Sequence, residues 1–96
     1  MKLTDYQFLQ QLSALPFVEA LYLFGSRARG DARERSDIDL AVFCPTASDN
    51  EWLQVLAIVE QADTLLTIDC VRFDAEPAGS TLRAAIEQDK QVLYEC

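Results

Sequence analysis

Two apolar segments joined by a short polar link constrain this chain more than any other feature. Phe17 to Phe24 is rich in β-branched and aromatic residues and stops at Gly25, while Asp37 to Phe43 reads as a second strand, ended by Cys44-Pro45 and the polar residues 46 to 50. Only twelve residues, Gly25 to Ser36, lie between them. That is barely enough for a parallel crossover, so the two strands are expected to be antiparallel around a helical turn opening at Gly25-Ser26 and a loop around Gly30.

The flanking sequence supplies the remaining elements. Thr4 is placed to cap a first helix in which Tyr6, Leu9, Leu12 and Leu15 recur until Pro16. A long helix is expected from about Glu51 to Asp63. Its apolar positions, Trp52, Leu53, Val55, Leu56, Ile58 and Val59, spread wider than the stripe of roughly 100° that a surface helix shows. Leu65 to Phe73 reads as a third strand, Ser80 to Gln88 as a last helix capped by Ser80 or Thr81, and Gln91 to Tyr94 as a fourth strand. The fold class expected is α/β (α+β): a small mixed four-stranded sheet with helices packed on it, residues 1–96 forming one domain.

Composition removes several kinds of chemistry. The chain has no histidine, which excludes His-dependent triads and HExxH zinc sites and leaves carboxylates and backbone amides to do any catalysis. Its three cysteines, Cys44, Cys70 and Cys96, form no CxxC pair and signal neither a disulfide framework nor a zinc knuckle. A net charge of -8 disfavours broad nucleic-acid binding, yet Arg27, Arg29, Arg33 and Arg35, half of the eight basic residues, fall within nine positions. No apolar run approaches the roughly 20 residues that span a bilayer, and Met1 to Asp5 lacks a signal-peptide core, so a cytoplasmic protein without a membrane partner is expected.

The chemistry concentrates between Leu21 and Phe43. Residues two apart in a strand share a face, which sets Asp37 and Asp39 side by side, with α-carbons roughly 6 to 7 Å apart, and turns Ile38 and Leu40 toward the core. Two carboxylates that close raise each other's pKa unless a cation lies between them, and a divalent ion is the natural occupant. Alone, a DxD pair is as readily a turn followed by a solvated strand end. Gly25 and Ser26 add a glycine that lets backbone N–H groups approach a ligand and a helix start that favours an anion, which together make a phosphate seat; alone, Gly-Ser after a strand is a plain turn.

The combined pattern is Gly25, Ser26, ten residues, then Asp37, Ile38, Asp39, within the wording GSRARG and SDIDL. It resembles the minimal nucleotidyltransferase (MNT) domains of the DNA-polymerase-β-like superfamily, in particular the MntA-type antitoxins paired with a HEPN-domain toxin. The resemblance implies a nucleotidyltransferase fold in which Gly25 and Ser26 hold the β- and γ-phosphates of ATP. Two Mg²⁺ ions, with Mn²⁺ as a substitute, would be bound by Asp37, Asp39 and a third carboxylate on a later strand. Asp69, in the apolar run Leu66 to Val71, fits that third position best, with Asp63 and Asp74 as rivals. Arg27 and Arg29 are close enough to the seat to neutralise phosphate charge, whereas Arg33 and Arg35 can pair with Glu34 and Asp31. Arg72, three residues after Asp69, falls on the other face of a regular strand and reads as structural.

By the same resemblance, an acceptor hydroxyl would attack the α-phosphorus and expel pyrophosphate, with Asp69 nearest the acceptor. The acceptor would be a tyrosine of a HEPN-type helical protein encoded nearby, AMPylated in a hetero-oligomeric toxin–antitoxin pair. Two alternatives share parts of this reading: a non-catalytic module that occludes a helical partner, and a nucleotidyltransferase acting on a small molecule.

Overall fold

A computed structural model of the chain describes residues 6–30 and 37–95. The elements run α1 (Gln7–Ser13), β1 (Ala20–Phe24), α2 (Ser26–Arg29), β2 (Ile38–Phe43), α3 (Asp49–Glu60), β3 (Ile68–Arg72), a 3₁₀ turn (Phe73–Ala75), α4 (Thr81–Asp89) and β4 (Gln91–Glu95). They form one mixed sheet in the order β3-β2-β1-β4. As the short link requires, β1 and β2 are antiparallel, with Phe24 opposite Asp39. The helical crossover through α3 makes β2 and β3 parallel, and β4 closes antiparallel on the other side of β1.

The period of two along β2 distributes its side chains between two cores. Ile38, Leu40 and Val42 pack with Leu21, Leu23, Val55 and the α1 residues Phe8, Leu9 and Leu12. Ala41 and Phe43 face the other way with Phe24, Tyr22, Val71, Phe73 and Ile86 of α4. The sheet is thus covered on both faces, and Asp39, which shares the parity of Ala41, projects from the α4 face at the strand end. Among the described residues, no helix is long and apolar enough to cross a membrane.

Several element ends differ from the sequence expectation, each for a local reason. Helix α3 begins at Asp49 because Ser48 and Glu51 make a capping box, with Ser48 Oγ accepting from Glu51 N–H (3.2 Å) and Glu51 Oε1 accepting from Ser48 N–H (2.8 Å). Its last residue is Glu60. Strand β3 ends at Arg72 because Asp74 turns away to accept from Cys44 N–H (2.9 Å) and from Arg72 Nε (2.9 Å). Strand β1 starts at Ala20, after a turn in which Val18 N–H donates to Leu15 C=O. Thr4, the expected cap of α1, lies outside the described residues, as do Asp31, Arg33, Glu34, Arg35 and Cys96.

The start of α1 is held from a distance. Asp63 accepts from the backbone N–H groups of Gln7 (3.1 Å) and Phe8 (3.3 Å), and these bonds hold its carboxyl below the ordinary value of 3.8. The stability this contributes is present above that value and is lost as pH falls through the lowered pKa. Asp63→Ala is therefore expected to lower the thermal midpoint by a few degrees at neutral pH, with the gap to wild type closing in acid below about 3.8. Calorimetry across pH checks it; a gap that persists in acid contradicts the capping role.

Candidate active site

Two of the expected carboxylates, Asp39 and Asp69, adjoin at one end of the sheet, and a third, Asp37, acts on Asp39 through its charge. Asp39 is the second residue of β2 and Asp69 the second of β3, and the parallel register places them directly beside each other. Asp37 immediately precedes β2 and is exposed. The Asp39 carboxyl is raised above its ordinary 3.8, first by desolvation, then by the charges of Asp69 and Asp37 and a side-chain hydrogen bond with Asp69; Arg29 acts in the opposite sense.

On the other side of Asp39 stands Gly25. Its φ of +76° is in the left-handed region, and a Cβ there would overlap Asp39 Oδ2 and come within 3.0 Å of Asp39 Cγ. Glycine is needed at this position for both the turn and the approach of backbone to carboxylate. The Gly25 carbonyl accepts from Arg29 N–H (3.1 Å), closing the single turn of α2 that Ser26 begins. The side chain of Ser26 falls outside the described part.

The fate of the other expected residues is mixed. Arg27 is partly buried on α2. Arg29, half exposed on the same turn, pairs through Nη1 with Asp89 Oδ2 at 2.9 Å, at the end of α4. Asp63 and Asp74, the rivals for the third carboxylate, are engaged elsewhere, Asp63 on α1 and Asp74 on Cys44 and Arg72. Asp69 lies in the expected strand, which is an edge strand, and is exposed; register, and not burial, brings it to Asp39. Arg72 is structural, donating to the carbonyls of Cys44 (3.1 Å) and Ala47 (2.9 Å) and lying over the Trp52 ring.

Sequence reasoning missed the contacts that hold α2. Besides Asp89, Gln91 Nε2 donates to the Ala28 carbonyl at 3.2 Å. No local signal announces these pairs, which are separated by 60 and 63 residues. Among the described residues the two thiols are poor nucleophiles: burial pushes Cys44 up to about 11, with Asp74 adding to it, and Cys70 up to about 12.

Among the described residues, no three His, Cys, Asp or Glu side chains are gathered as a ready-made metal cage. What the site offers is an adjoining pair of carboxylates, Asp39 and Asp69, with Asp37 contributing its charge. An all-oxygen set of one or two carboxylates, completed by phosphate and water, is what Mg²⁺ takes, so the residues fit that ion.

Comparison with known proteins then decides the family. Residues 7–96 match the family model described as polymerase beta, nucleotidyltransferase. The chain belongs to the polymerase beta nucleotidyltransferase family. Among curated proteins none matches it in sequence. Its nucleotidyltransferase fold is similar to that of a toxin–antitoxin structure with AMP-PNP, at 24% identity and a TM-score of 0.63 over 94% of this chain and 69% of that one. It is also similar to a protein assigned as a nucleotidyltransferase from Sulfolobus solfataricus, at 23% identity and a TM-score of 0.59 over 93% of this chain and 75% of that one. A third likeness is to a tri-AMPylated Shewanella oneidensis HEPN toxin in complex with MNT antitoxin, at 21% identity and a TM-score of 0.60 over 94% and 66% of the two chains.

Proposed function

We propose that this nucleotidyltransferase moves AMP from ATP to a tyrosine hydroxyl of a HEPN-type helical partner. The observation that carries the reading is the Asp39–Asp69 pair set in register next to the left-handed turn at Gly25. Asp37, Asp39 and Asp69 are the residues that would hold Mg²⁺, and the backbone at Gly25 and Ser26, with Arg27 and Arg29 on the same turn, would receive the triphosphate. Mg²⁺, when bound, supplies the positive charge that neutralises the triphosphate and lowers the pKa of the attacking hydroxyl. The acceptor hydroxyl passes its proton to Asp69, and its oxygen bonds to the α-phosphorus as the bond to pyrophosphate breaks. Asp69, exposed on the edge strand, is accessible to an acceptor from another chain.

The partner is argued from this chain's surface as well as from its fold relatives. Leu53 and Leu56 of α3 are 59% and 37% exposed, and Leu65 is fully exposed before β3. Apolar residues in such positions suit a protein interface. The fold relatives include toxin–antitoxin structures, one of them with a tri-AMPylated HEPN toxin.

The test is the intact mass of the protein encoded beside this one, co-expressed with the wild-type chain or with an Asp37→Asn, Asp39→Asn double variant. AMP-sized increments that require the aspartates are the expected result. A stable complex with no increment would instead favour a non-catalytic occluding module, and neither complex nor increment would direct attention to small-molecule acceptors.

A further inference from the structure

The last residue of α4 is an aspartate, and nothing in the helix itself accounts for it. Negative charge at a helix C-terminus opposes the dipole and the free carbonyls there, so Asp89 is unfavourable for α4 taken alone. Its carboxylate is only 15% exposed and receives Arg29 Nη1 at 2.9 Å from the one-turn helix α2. Two residues later, Gln91 Nε2 donates to the Ala28 carbonyl at 3.2 Å, which gives an end carbonyl of that turn a partner. Two side chains from the junction of α4 and β4 therefore grip the segment that follows Gly25, one through its guanidinium and one through its backbone.

That segment is otherwise weakly determined. A single helical turn has too few internal hydrogen bonds to hold its own geometry. Its direction matters, because Gly25, whose carbonyl accepts from Arg29 N–H across that turn, abuts the Asp39 carboxylate. We infer that Asp89 and Gln91 are positioning residues that brace α2, and Arg29 on it, in the geometry that binds the triphosphate. The inference rests on the proposed ATP-dependent function. Asp89 acts through Arg29 and touches neither substrate nor reacting atoms, and its unfavourable place on α4 is offset by this service to α2.

The experiment measures the dissociation constant for MgATP by calorimetry, the thermal midpoint, and AMP transfer to the partner at saturating ATP. For Asp89→Ala the expected result is MgATP binding weakened about tenfold, a saturated rate within about threefold of wild type, and a midpoint unchanged or raised because the helix end loses an opposed charge. A residue with a merely structural role would instead lower the midpoint. Asp89→Glu restores binding to within about threefold, and Gln91→Leu weakens it in the same direction by a smaller factor. In an Arg29→Ala background, Asp89→Ala changes binding by less than about twofold, since the path between them is already cut. Wild-type affinity in Asp89→Ala, or an undiminished effect in the Arg29→Ala background, overturns the inference. Failure of the wild-type chain itself to bind MgATP would sink the proposed function beneath it, an outcome visible before any variant is made.

Discussion

Asp39→Asn is expected to reduce nucleotidyl transfer by on the order of a thousandfold or more while leaving the chain folded and, without divalent ions, more stable than wild type. The two effects have one origin. Asp39 is partly desolvated between Gly25 and Asp69, and its carboxyl is raised above the ordinary 3.8 by that burial and by the neighbouring carboxylates. A raised carboxyl costs stability once pH exceeds the unfolded value, because the folded state then ionises a group it disfavours. Asparagine removes the cost, so the variant's midpoint at neutral pH should rise by a few degrees, and the gain should vanish as pH falls below about 3.8. Mg²⁺ should stabilise wild type and leave the variant unmoved. Transfer retained within about tenfold would remove Asp39 from the metal site, and a midpoint that drops at neutral pH would contradict the repulsion argument.

Gly25→Ala is the second large effect, and Gly30→Ala is its control. Both glycines have positive φ, +76° and +84°. Each substitution places an L-residue in the left-handed region, at about 1 to 2 kcal/mol. Only Gly25 carries a second penalty: its Cβ overlaps the Asp39 carboxylate, whereas a Cβ at Gly30 meets nothing within 4 Å. Gly25→Ala should therefore destabilise the chain by about 2 to 4 kcal/mol, either by moving Asp39 or by displacing the turn, and should lower transfer about a hundredfold or more. Denaturant unfolding of the two variants separates the terms. Equal losses for Gly25→Ala and Gly30→Ala would mean that the approach to Asp39 is not constrained.

Residues from Leu21 to Phe43 were legible because their information is local. A strand that stops at glycine, a polar link of twelve residues and a DxD strand start each act over a few positions, and together they specify an antiparallel pair with Asp39 at its mouth. The errors at element ends have the same locality in reverse. The Ser48–Glu51 capping box that starts α3 is a local signal, whereas the end of β3 at Arg72 depends on Asp74 reaching Cys44, a contact across 30 residues.

The third carboxylate marks where local information runs out. Asp63, Asp69 and Asp74 lie within twelve positions and are equivalent by residue type. Tertiary contacts separate them, since Asp63 is drawn to α1, Asp74 to Cys44 and Arg72, and Asp69 alone is placed by the β2–β3 register beside Asp39. Arg29 makes the same point, because its partner Asp89 is 60 residues away. By itself the sequence determined the family motif, the two-strand frame and the absence of histidine chemistry, all set by residue identity and short spacing. Only the tertiary structure decided which aspartate lies beside Asp39 and what holds the turn after Gly25, because strand register and long-range hydrogen bonds arise when segments distant in the chain pack together.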